Sequence, residues 1–132
     1  DRAEFRVCMS DATAGILAPG LAAALGGEAP LVDLRIVPLT TRDPRALLHA
    51  EQVDLAVGHF PALVSALLAE GERALLHNRR LHRTDYVCVM RPGHPLAEGE
   101  LTLERYCDAR HVLVTVSGQA YAEVDEALAL RG

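Results

Sequence analysis

Ser10, Asp11 and Thr13 stand together just after an apolar run, and Thr40-Thr41-Arg42-Asp43-Pro44 repeats that placement after a second run. Hydroxyls and short polar side chains at a strand-to-helix junction cap the helix and, with its first amides, can hold an anionic group. A third apolar run ends in Gly58-His59-Phe60-Pro61, which adds an imidazole and an aromatic ring. Such a set points to recognition of a small molecule before it points to catalysis. Each residue also has an ordinary use. Ser10, Asp11, Thr13 and Thr41 serve as helix caps, His59 as a surface histidine, and Phe60 as an apolar plug. Residue type and spacing leave both readings open.

Enzyme chemistry finds little support. His77, His82, His111 and Cys107 fall into no metal-ligand spacing. Ser10 lacks a Gly-x-Ser-x-Gly elbow, and Gly26-Gly27 reads as the end of a helix where a phosphate loop would open one. The expectation is a protein that is not an enzyme and that uses neither a metal nor a cofactor.

The 132 residues suit one domain with a sizeable core, and half of them are hydrophobic. All thirteen basic residues are arginine and the net charge is −5, which speaks against this segment gripping nucleic acid itself. Arg79, Arg80 and Arg83 form a local basic cluster that reads as a solvated turn. No apolar run is long enough to span a membrane, and no leader opens the chain. Cys8, Cys88 and Cys107 are odd in number and widely spaced. Buried free thiols in the reducing cytoplasm are expected.

The elements that must position the polar junctions follow from periodicity. Residues 5–9, 32–39 and 54–58 read as strands, with 55–57 apolar enough for the centre of a parallel sheet and 32–37 alternating like an edge. Leu17, Leu21, Ala24 and Leu25 have helical spacing; Pro19 requires that helix to begin near Gly15 or to kink, and Gly26-Gly27 to stop it. Asp43-Pro44 starts a second helix, and Leu63, Leu67 and Leu68 indicate a third. Beyond these, 73–82, 86–90 and 112–116 read as strands. Arg91-Pro92-Gly93-His94-Pro95 and Ser117-Gly118 read as turns, Thr102 as the cap of a short helix, and 122–130 as a last helix with Val124, Ala127 and Leu128 inward.

In order and spacing the chain resembles the effector-binding domain of LysR-type transcriptional regulators. The residues that carry this are Phe5-Arg6-Val7 opening into Ser10-Asp11, Ile16-Leu17-Ala18-Pro19-Gly20-Leu21, and Ala29-Pro30 before a strand. Val53-Asp54-Leu55-Ala56-Val57-Gly58, Tyr86-Val87-Cys88-Val89-Met90-Arg91-Pro92-Gly93-His94-Pro95-Leu96 and His111-Val112-Leu113-Val114 continue it. The resemblance implies a type 2 periplasmic-binding-protein-like α/β fold: two Rossmann-like α/β subdomains, a two-strand hinge, and an inducer in the cleft between them. Residues 1–82 would form the first subdomain and crossover, and 83–132 part of the second. Two departures accompany it. No helix-turn-helix precedes Phe5, and the family's domain runs past Gly132, so a fragment truncated at its carboxyl end is expected.

By that resemblance Ser10, Asp11, Thr13, Thr41, His59 and Phe60 face the ligand from one side. His94, Thr115, Val116, Ser117 and Tyr121 face it from the other. The stretch 86–96 and the helix carrying Glu123-Val124-Asp125 look most like the branch that responds to aromatic acids and flavonoids. The expected function is a cytoplasmic ligand sensor for a small organic acid, in a homodimer or homotetramer that meets DNA only through a domain absent here and has no membrane partner. The alternative is a solute-binding protein of the same fold delivering a small anion to a transporter.

Overall fold

In a computed structural model, which describes residues 3–115 and 122–131, the first apolar run becomes the middle strand of a parallel sheet. Strand β1 (Ala3–Met9) lies between β2 (Val32–Pro38) and β3 (Leu55–Val57). Val7, Cys8 and Met9 are consecutive and only 4%, 0% and 1% exposed, because a middle parallel strand is covered on both faces. β2 occupies an edge, and its alternation holds from Val32 to Arg35 before breaking at Ile36, which is exposed, and Val37, which is half-buried. β3, expected in the centre, forms the other edge of the described sheet, since β1 has already taken both available neighbours.

The connections are helices, as parallel pairing demands. α1 (Asp11–Glu28) joins β1 to β2, and α2 (Arg45–His49) joins β2 to β3. A start of α1 near Gly15, one of the two alternatives for Pro19, and a stop at Gly26-Gly27 are both corrected. The helix starts at Asp11, four residues ahead of Gly15, and carries Pro19 inside it. Pro19 leaves the Gly15 carbonyl without its helical partner, and both residues are exposed, so water can take the place of the missing donor. Gly26 and Gly27 do not end the helix either. Neither adopts the left-handed backbone of a terminating glycine, and α1 continues to Glu28.

α2 ends differently. Glu51 takes φ 52°, its amide donates to the Leu48 carbonyl, and the Gln52 amide donates to the Leu47 carbonyl at 2.9 Å. This pair of bonds is the Schellman closure, with a glutamate in the place glycine usually holds. It turns the chain so that Val53 is buried as β3 approaches. α3 (Pro61–Glu70) then buries Leu63 and Leu67 while leaving Leu68 exposed. A 3-10 turn, Gly71–Arg73, follows.

The chain divides into two compact units, one of residues 3–78 and one of 79–115 with 122–131 among those described. The second holds a 3-10 turn at Pro95–Ala97, α4 (Leu103–Cys107) and α5 (Glu123–Ala129). The strands expected at 73–82 and 86–90 are absent, as is one over 112–115. Tyr86, Val87, Val89, Val112 and Val114 lie exposed, because an apolar β pattern forms a strand only where another strand accepts its backbone bonds. Two other expectations hold: Thr102 caps α4 by accepting the Arg105 amide, and Pro92-Gly93 makes a turn. Val124 and Leu128 on α5 are half-buried, while Ala127 is exposed. Cys8 is buried, but Cys88 and Cys107 are exposed with the stretches that carry them.

Candidate functional site

Register sets the geometry of the first unit. Met9 pairs with Pro38 on one side and with Val57 on the other, so all three strands finish at the same level. The loops that start at Ser10, Leu39 and Gly58 therefore leave one sheet edge, the carboxyl edge where α/β proteins bind ligands. Leu39 tightens this edge by donating its amide to the Met9 carbonyl at 3.1 Å.

Ser10 is the N-cap of α1. Its Oγ accepts the Thr13 amide at 3.2 Å and lies 3.0 Å from Thr13 Oγ1. One hydroxyl of this pair donates to the other, so one O–H remains for an outside acceptor. The amides of Asp11 and Ala12, which have no partner within the helix, stand beside it. The site thus offers three donors at the positive end of an eighteen-residue helix. The exposed Asp11 carboxylate works against them by adding negative charge to the same end.

Thr41 is engaged locally. Its Oγ1 accepts the Asp43 amide at 3.1 Å and donates to the Asp43 carbonyl at 3.2 Å, leaving no proton for an anion in this arrangement. Asp43 in turn accepts the Arg45 amide at 3.1 Å and the Arg45 Nε at 2.9 Å. The Arg45 guanidinium holds the Asp43 carboxyl below the usual carboxylate range. The expected arrangement is shifted by one residue: the N-cap of α2 is Pro44, buried and without a side-chain cap bond, while Asp43 stands just ahead of it and accepts the Arg45 amide.

His59 is exposed on the loop after β3, and Phe60 beside it is half-buried at the start of α3. The Phe60 ring folds back on Gly58 so closely that a Cβ there would sit 2.7 Å from Cζ and 3.1 Å from Leu39 Cδ2. Leu39 and Gly58 were not among the expected site residues. The one available signal was a glycine placed immediately after a strand.

The structure therefore brings Ser10, Thr13, Thr41, His59 and Phe60 to one sheet edge. His94 and Thr115 belong to the second unit. His94 Nδ1 accepts the Leu96 amide at 3.1 Å, which leaves the ring proton on Nε2 when His94 is neutral. Thr115 is half-buried and does not end a strand. Val116, Ser117 and Tyr121 lie outside the described residues. A separate concavity in the first unit, of about 190 Å³ between Arg45, His49, Leu67 and Glu70, contains none of the expected residues. No group of three metal-ligating side chains occurs among the described residues, and no described helix is long and apolar enough to cross a membrane.

Comparison with known proteins decides the lineage: the family described as LysR substrate binding domain matches residues 1–132. The chain belongs to this family. The HTH-type transcriptional activator NahR of Pseudomonas putida is 33% identical over 121 residues, 92% of this chain and 37% of that protein. The HTH-type transcriptional activator NagR of Ralstonia sp is 28% identical over 128 residues, 97% of this chain and 40% of its own. The HTH-type transcriptional regulator LinR of Sphingobium indicum is 29% identical over 119 residues, 90% of this chain and 36% of its own. The chain thus spans well under half the length of these relatives. As a family member it shares its lineage with regulators of transcription, and its α/β architecture with a parallel sheet agrees with that assignment.

Proposed function

We propose that this chain is the ligand-sensing part of a LysR-type transcriptional regulator and binds a small organic acid of aromatic character. The carrying observation is the alignment of three strand ends, which gathers the α1 amides, the Ser10–Thr13 hydroxyl pair and the Phe60 ring at one edge. A carboxylate would take the helix donors, and the apolar body would lie toward Phe60. His59 lies at the lip of the same edge, and Thr41 shapes the loop beside it. By the family resemblance His94, Thr115, Val116, Ser117 and Tyr121 belong to the opposing part of the site. Residues 1–82 and 83–132 correspond to a first subdomain and part of a second in a type 2 periplasmic-binding-protein-like fold.

Bound ligand would favour one state of the domain, and a homodimer or homotetramer would pass that preference to DNA-binding segments elsewhere in the protein. The work is binding, without catalysis, metal or cofactor, and it takes place in the cytoplasm. The regulators named above favour this role over delivery of a solute to a transporter.

A thermal-shift screen of benzoate-like carboxylates against the full-length protein tests it. A ligand at 100 times its Kd adds about 2.7 kcal/mol, a shift of several degrees. Absence of stabilisation by any carboxylate, with none by other small metabolite classes, refutes the sensor role.

A further inference from the structure

We propose that Gly58 is a specificity-determining residue: its bare Cα seats the Phe60 ring against Leu39 and so places the wall beside which a flat aromatic carboxylate lies. This rests on the sensor role given above. A Cβ at Gly58 would come 2.7 Å from Phe60 Cζ, 3.2 Å from Cε2 and 3.1 Å from Leu39 Cδ2. Non-bonded carbons do not approach so closely, so the ring tip and a leucine methyl already fill the space a side chain would need.

The three residues come from different strand ends. Leu39 follows β2 and is tied to β1 through its bond to the Met9 carbonyl, while Gly58 and Phe60 follow β3. Together they bridge the carboxyl edge above the end of β1, where Ser10 opens α1. Donors and ring thus belong to the same sheet edge, which suits a molecule with a carboxylate at one end and an apolar plane at the other.

Glycine is needed here for contact, not for backbone freedom. Gly58 is not among the residues with positive φ, so alanine at this position meets no conformational penalty and the whole clash falls on side chains. Gly58→Ala therefore displaces the Phe60 ring and presses on the Leu39 methyl, with no demand on the Gly58 backbone. Phe60 is half-buried, so it keeps part of its surface open to a ligand. An aromatic ligand gains an offset or edge-to-face contact with it that a puckered ring of the same size does not.

The test titrates benzoate and cyclohexanecarboxylate into the full-length protein by calorimetry, for wild type, Gly58→Ala, Phe60→Leu and the double variant. Wild type prefers benzoate. Gly58→Ala loses about tenfold in benzoate affinity and less than about twofold for the saturated acid. The double variant is no weaker than Phe60→Leu alone, since both changes remove the same seated ring. Ligand-free thermal midpoints stay within a few degrees, which separates ring displacement from misfolding. Three outcomes overturn the inference and leave the sensor role standing: no preference in wild type, unchanged affinities in Gly58→Ala, or an equal loss for both acids. Wild type that binds neither acid, nor any other carboxylate or small metabolite, overturns both.

Discussion

Asp54 holds Arg6 from two directions: its Oδ2 accepts the Arg6 amide at 2.7 Å, and its own amide donates to the Arg6 carbonyl at 2.8 Å. The Arg6 guanidinium adds a longer contact, Nε to Oδ2 at 3.4 Å. This clasp stands one residue ahead of the first β1–β3 pair, Val7 with Leu55, and so helps set the register that levels the strand ends.

The clasp predicts a pH signature. The Arg6 amide, chiefly, and its guanidinium keep the Asp54 carboxyl below its ordinary value. A lowered folded-state value means the stabilisation is full above the unfolded value, about 3.9, and disappears as pH falls through the folded one. Asp54→Asn should therefore lower the thermal midpoint near neutrality by a small amount, about two degrees for so exposed a pair. That gap should close as pH drops below about 4. A gap that stays constant from about pH 7 to about pH 3 would exclude the account.

Ser10 carries two functions that substitution can separate. Ser10→Ala removes the cap from α1 and should cost about 1 kcal/mol in urea denaturation. Ser10→Asp keeps a capping oxygen but places a carboxylate where the ligand's would lie. Near-native stability with at least about tenfold weaker benzoate binding is expected. Equal binding by Ser10→Asp and wild type would show that no anion sits at the head of α1.

Glu51 holds a left-handed backbone at the Schellman closure, where a side chain is unfavourable. Glu51→Gly should stabilise the protein by about 0.5–1 kcal/mol, seen as a higher urea midpoint with an unchanged slope. Loss of stability would mean that the Glu51 side chain has an unrecognised role in the turn.

Local signals were reliable where a nearby group could satisfy them. Ser10 and Thr102 cap the helices that follow them, Asp43 accepts the Arg45 amide, and Val32 to Arg35 alternate along an edge strand. Pro19 and the Gly26-Gly27 pair misled because an eighteen-residue helix, once capped, can absorb one missing bond and two flexible residues at its exposed surface. The apolar stretches 86–90 and 112–115 misled for the opposite reason. Their patterns are suited to strands, but a strand exists only through its partner's ladder, which no local pattern contains.

By itself the sequence determined the family, the three strands of the first unit and the polar residues that follow them, because these depend on periodicity and on junctions a few residues long. Tertiary structure alone decided that β1 is the middle strand, that its neighbours end level with it, and that Phe60 rests on Gly58 beside Leu39. Apart from the Phe60–Gly58 contact itself, those facts join residues 19 to 48 positions apart, and such contacts arise from strand register and packing, which act between segments and leave no trace within any one of them.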